Sequence, residues 1–135
     1  MRIYLDGACS GNGQVNAEAG YGFVVCVDSE TIYTDNGKVP GKQTNNRAEL
    51  TALLKALKYV QKKRPDVVEF LSDSQILVDG VLGKAKRRAS RDIWTQIEAL
   101  FAELRGDVAI SIRHIPREKN VLADAQAKAA AQSLI

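Results

Sequence analysis

Between Asn46 and Asp73 the hydrophobic pattern changes period, and that change dictates a layered fold. Leu50, Leu53, Leu54, Leu57 and Val60 recur at steps of three and four, which predicts a helix with one buried face. Pro65 stops it. "VVEFLSD" (67–73) follows as a largely apolar run, suited to a strand covered on both faces. A strand of that kind needs helices above and below it.

The flanking segments extend this pattern. Residues 2–6, 19–27 and about 31–38 read as three strands, with Asp28-Ser29-Glu30 as a hairpin connection. Beyond Asp73, a short helix over 75–81 precedes a helix over 90–104 carrying Trp94, Ile97, Leu100, Phe101 and Leu104 on one side. "VAISIRH" (108–114) reads as a fifth strand, and alanine-rich 120–132 as a final helix. The order βββαβααβα makes the later crossovers parallel and right-handed. The expectation is an α/β fold: a mixed five-stranded sheet, three antiparallel strands then two parallel, with helices on both faces.

A chain of 135 residues suits one domain, 1–135, with a proper core. No apolar run approaches the roughly 20 residues that span a bilayer, and "MRIYLDG" has no signal-peptide character. A cytoplasmic protein with no membrane partner is expected, with Cys9 and Cys26 as reduced thiols. Lysine and arginine total 19 against 16 acids, a net charge of +3. Lys84, Lys86, Arg87, Arg88 and Arg91 cluster, as do Lys62, Lys63 and Arg64. A basic patch alone is weak evidence for nucleic acid.

The acids say more. Asp6 closes the first strand and Asp73 follows the fourth, so parallel neighbours would bring both to the carboxyl edge where open α/β sheets bind ligands. Glu49 lies in the first turn of the long helix and Asp124 early in the last. Four carboxylates gathered there repel one another unless cations sit among them. Each also has a local explanation: a turn residue at Asp6-Gly7, a capping box from Asn46 to Glu49, a cap at Asp73-Ser74, an i, i+4 pair between Asp124 and Lys128.

"YLDGACSGNG", "TNNRAELTALLKAL", "FLSDSQ" and "NVLADAQAKAA" together resemble, in order and spacing, the four acidic motifs of type 1 ribonuclease H. The resemblance covers essentially the whole chain. It implies an endonuclease that hydrolyses the RNA strand of RNA–DNA hybrids by two-metal-ion catalysis, leaving 5′-phosphate and 3′-hydroxyl ends. Asp6, Glu49, Asp73 and Asp124 would be the catalytic, metal-binding carboxylates, holding two Mg²⁺ with Mn²⁺ as the alternative. Hard divalent ions of this kind take oxygen ligands.

The family pattern also implies substrate contacts. Asn12 and Gln75, helped by Asn45, would meet the 2′-hydroxyls of the RNA strand. Thr44 and Asn46 would meet the DNA strand, and Asn120 joins the substrate-binding set. Arg47 would orient its turn as much as bind. A monomer without an organic cofactor is expected.

The chain departs from the family pattern in two places. Gln75 to Trp94 is too short for the basic protrusion of the best-known bacterial members, so "KAKRR" would serve as a weaker phosphate grip. The loop "PREKN" lacks the histidine of many members, leaving His114 or Glu118 for proton transfer. The short form resembles the archaeal-type branch. The rival readings are an integrase-like or resolvase-like nuclease on the same fold, which lacks the TNNRAEL turn, and a non-catalytic nucleic-acid-binding module. Against the second, clustered carboxylates without metal would repel phosphate.

Overall fold

The computed structural model describes residues 1–11 and 14–133; Asn12 therefore lies outside the described residues. The elements are β1 (Arg2–Ser10), β2 (Glu18–Val27), β3 (Glu30–Lys38), α1 (Asn45–Lys63), β4 (Val67–Ser72), α2 (Gln75–Val81), α3 (Arg91–Leu104), β5 (Ala109–His114) and α4 (Val121–Gln132), with a 3-10 turn at Arg117–Lys119. They form one sheet of order β3-β2-β1-β4-β5. β3, β2 and β1 pair antiparallel, and β1–β4 and β4–β5 pair parallel. The expected mixed sheet is the one found.

Asp28 and Ser29 both adopt left-handed backbone at the β2–β3 connection, the geometry of a two-residue hairpin turn. α1 ends where Arg64 turns left-handed and donates its N–H to the Val60 carbonyl, one residue before Pro65, which cannot continue a helix.

Alternation along the strands assigns the two faces. Tyr21, Phe23 and Val25 join Ile3, Leu5, Leu53, Leu57 and Val60 in the main core under α1, with Trp94 and Ile97 of α3 behind. On the other face α4 packs across β2, β1 and β3. There Gly20 and Gly22 meet the backbone of Ala127, Ala130 and Ala131 so closely that a Cβ on either glycine would collide with it. The alanines of α4 thus let its backbone lie on the sheet.

One boundary differs from expectation in a way that matters for the site. β1 does not stop at Asp6 but runs on to Ser10, paired with β2 from Gly7↔Tyr21 to Ser10↔Glu18. Gly7, Ala8, Cys9 and Ser10 are too small to show strand patterning. Pairing with β4, by contrast, ends at Leu5↔Ser72. Asp6 therefore sits just past the end of the parallel ladder, in mid-strand.

Candidate active site

Asp6 lies opposite Gly22 in the β1–β2 ladder, on the face that α4 covers. Gly7, the next residue, points to the α1 side. A Cβ there would stand 2.5 Å from the Glu49 nitrogen and 2.6 Å from the Ala48 carbonyl carbon. Only glycine lets the first turn of α1 lie against β1, and that contact brings Glu49 to Asp6.

The TNNRAEL turn has a division of labour that its sequence leaves open. Thr44 is the N-cap of α1, its hydroxyl accepting the Arg47 N–H at 3.2 Å. The capping-box reading of Asn46 and Glu49 does not hold, because Thr44 fills the cap position and Glu49 is buried against the sheet. Arg47 is buried too. Its guanidinium donates in a two-pronged pair to Asp92 at 2.9 and 2.7 Å and also to the Pro40 carbonyl. It clamps the turn onto α3 and holds the Asp92 carboxyl down at about 2. Asn45 and Asn46 remain exposed at the helix start, and Asn45 lines the cleft over the acids.

Asp73 follows the end of β4. Ser74, not Asp73, caps α2, accepting the Leu77 N–H at 3.2 Å. Oxygen atoms of Asp6, Glu49 and Asp73 all lie within 4.8 Å of one another, and Asp124 is near enough to raise the Asp6 carboxyl. All four acids line one open cleft of about 540 Å³. Asp124 additionally pairs with Lys128 at 3.0 Å.

The crowd is electrostatically strained. Burial, and then the charge of Asp73, push the Asp6 carboxyl up to about 7. Burial, with Asp6 adding to it, holds Glu49 well above the usual carboxylate range. Glu49 Oε2 is buried with no protein partner among the described residues, a situation that normally costs about 1–3 kcal/mol or more. Oxygen-only donors, like charge and an orphaned carboxylate oxygen fit a hard divalent cation such as Mg²⁺.

The remaining expected site residues fall in several places. Gln75 is exposed at the start of α2, its amide donating to Asp79 at 2.8 Å. Asn120 is buried to 1%, its amide given to the Leu5 carbonyl at 2.8 Å. His114 is exposed at the end of β5, and Glu118 lines a separate, smaller cavity with Tyr4 and Cys26. The cations that line the acidic cleft among the described residues are Arg117 and Lys128. Lys128 was legible only as a helix-surface pair with Asp124, and Arg117 only as part of a loop lacking histidine.

A parallel strand edge gathering carboxylates from four elements, on a sheet of this order, is a ribonuclease H-like fold with a candidate divalent-cation site. The RNase H family model matches residues 1–132. A ribonuclease H from Nitrosococcus oceani is 32% identical over 96% of this chain and 92% of its own. The crystal structure of RNase H1 from the halophilic archaeon Halobacterium salinarum superposes with a TM-score of 0.79 at 32% identity, covering 96% of this chain and 95% of that one. LC11-RNase H1, solved in complex with an RNA/DNA hybrid, gives 0.83 at 31% identity over 96% and 95%. The chain belongs to the ribonuclease H family, as a type 1 member.

Proposed function

We propose that this chain, as one domain over residues 1–135, hydrolyses the RNA strand of RNA–DNA hybrids, using Asp6, Glu49, Asp73 and Asp124 to hold a pair of divalent cations. Mg²⁺ is the expected ion and Mn²⁺ the alternative. The observation that carries the reading is the cluster itself: three acids with oxygens within 4.8 Å of one another, one leaving a buried oxygen unpaired. When bound there, such cations would supply an activated water and positive charge against the phosphate and the leaving oxygen.

The protein's part is placement. Asp6, whose carboxyl is perturbed by Glu49, Asp73 and Asp124 alike, would be the central residue holding the cations. Glu49 and Asp73 would help hold them on one side of the cleft and Asp124 on the other. Arg117 and Lys128, on the cleft wall, face the phosphate as counter-charges. Asn45, over the same cleft, and Gln75 meet the 2′-hydroxyls of the RNA strand, displayed in a wide and shallow minor groove; Asn12 belongs to that set on the sequence pattern alone. Thr44 and Asn46, at the exposed start of α1, meet the DNA strand. Hydrolysis leaves 5′-phosphate and 3′-hydroxyl ends.

One copy supplies all four acids, which supports action as a monomer. No helix among the described residues is long and apolar enough to cross a membrane. Cys9 and Cys26 are free thiols, which accords with a reducing compartment such as the cytoplasm.

The test is a set of end-labelled RNA–DNA hybrid, duplex DNA and duplex RNA, each with and without Mg²⁺. Cleavage confined to the RNA strand of the hybrid and dependent on metal is the expected result, with Asp6→Asn abolishing turnover while hybrid binding persists. Comparable cutting of duplex DNA would favour an integrase-like or resolvase-like nuclease.

A further inference from the structure

Asparagine is among the preferred N-cap residues because its side-chain oxygen accepts an N–H from the first helical turn. Asn120 occupies that position before α4 but makes no such bond. Its side chain turns away from its own helix and is buried to 1%. The amide Nδ2 donates to the carbonyl of Leu5, 115 residues away, at 2.8 Å. Oδ1 has no protein partner among the described residues. An unused cap and an unpaired buried oxygen both work against local stability, so neither accounts for the arrangement.

What it achieves is a tie between two elements of the acidic cluster. Leu5 directly precedes Asp6. The backbone carbonyl of Asn120 accepts the Asp124 N–H at 3.0 Å. One residue therefore holds the chain at both acids.

The Leu5 carbonyl is available because the ladder runs out there. The Met1 carbonyl receives the Glu69 N–H across the β1–β4 boundary, and two-residue alternation puts the Leu5 carbonyl on the same side. β4 ends its pairing with β1 at Leu5↔Ser72, and the Asn120 amide takes over from it.

We infer that Asn120 is a positioning residue: it sets the spacing of Asp6 and Asp124 through the Leu5 carbonyl, and thereby the affinity of the cluster for its divalent cation. It is a residue behind the ligands, where loss of an orienting hydrogen bond typically weakens metal affinity about 10–100-fold. The inference rests on the metal-binding reading given above.

The test measures Mn²⁺ binding by calorimetry or electron paramagnetic resonance, without nucleic acid, for the wild type, Asn120→Ala and Asn120→Leu. Leucine fills the volume without a donor and keeps a folded variant in hand if alanine unfolds the start of α4. Ile97→Val, in the core away from the cluster, controls for simple destabilisation.

Both Asn120 variants should bind Mn²⁺ at least about tenfold more weakly. At saturating hybrid their kcat should fall and recover as Mn²⁺ is raised, with KM for hybrid within about twofold of wild type. Ile97→Val should bind Mn²⁺ normally. Unchanged Mn²⁺ affinity in the Asn120 variants would overturn the inference alone, as would a raised KM with kcat intact, the mark of a substrate contact. An equal loss in Ile97→Val would also overturn it. A wild type that binds no Mn²⁺ would overturn both this inference and the functional reading beneath it.

Discussion

Asp6→Asn should stabilise the metal-free protein at alkaline pH, although it destroys the site. The Asp6 carboxyl is displaced from 3.8 to about 7, chiefly by burial and then by Asp73. A displacement of that size corresponds to about 4 kcal/mol of destabilisation once the group ionises. The direction follows from proton counting. Between about pH 4 and pH 7 the unfolded chain has released this proton and the folded chain still holds it, so stability falls as pH rises through that window. Below pH 4 both states are protonated and the effect is absent. Asparagine has no charge to desolvate and can still accept the Gly7 N–H that Asp6 Oδ1 accepts at 2.9 Å.

Urea unfolding in EDTA, wild type against Asp6→Asn across pH 4 to 8, reads the effect together with the relief that losing the Asp6 charge gives Glu49, because titrations remote from the cluster cancel in the difference. The two should match near pH 4, and the variant should be more stable at pH 8 by between about 1 and about 4 kcal/mol. Saturating Mg²⁺ should stabilise the wild type and reverse the order. A pH-independent difference, or an Asn variant less stable at pH 8 in EDTA, would refute the claim that burial, aided by Asp73, makes the ionised Asp6 costly in the metal-free protein.

Three other outcomes follow from the packing. Gly7→Ala should cut activity by more than about tenfold and destabilise by about 1–3 kcal/mol, the usual range for overpacking, because its Cβ would collide with Ala48 and Glu49; normal activity in a steady-state assay would contradict it. Neutralising Lys86, Arg88 and Arg91 together should weaken hybrid binding and flatten its dependence on salt concentration; an unchanged salt slope would make that patch mere surface. Arg87 of the same run should behave differently. It stacks on Trp94, 4.1 Å from the ring centroid, pairs with Glu98 and donates to the Gly80 carbonyl, so Arg87→Ala should lower thermal stability more than it lowers hybrid affinity.

The legible parts of this protein are those where period and spacing alone carry the information. Leu50 to Val60, then Val67 to Leu71, reveal a helix and a covered strand without knowledge of any neighbour. The four acids are legible through the order and spacing of the motifs that carry them, although Asp6, which reads as the end of a strand, lies in the middle of β1. The extension of β1 to Ser10 was not legible, since Gly7 to Ser10 form a strand only because β2 pairs with them. The family pattern leaves Arg47 divided between orienting its turn and binding, and puts Asn120 in the substrate-binding set. Their partners, Asp92 and the carbonyl of Leu5, are 45 and 115 residues distant, and nothing local announces them. Glu49 shows the same limit: its spacing from Asn46 fits a cap, while the contact of Gly7 with α1 determines its actual surroundings.

Crystals of the protein soaked in Mn²⁺, with anomalous diffraction recorded at the manganese edge, test the assignment of the cluster most directly. The account predicts an anomalous peak bounded by carboxylate oxygens of Asp6, Glu49 and Asp73, absent from Asp6→Asn crystals treated alike. A wild-type crystal that cleaves hybrid when redissolved in Mn²⁺, yet shows its peak elsewhere, would contradict it.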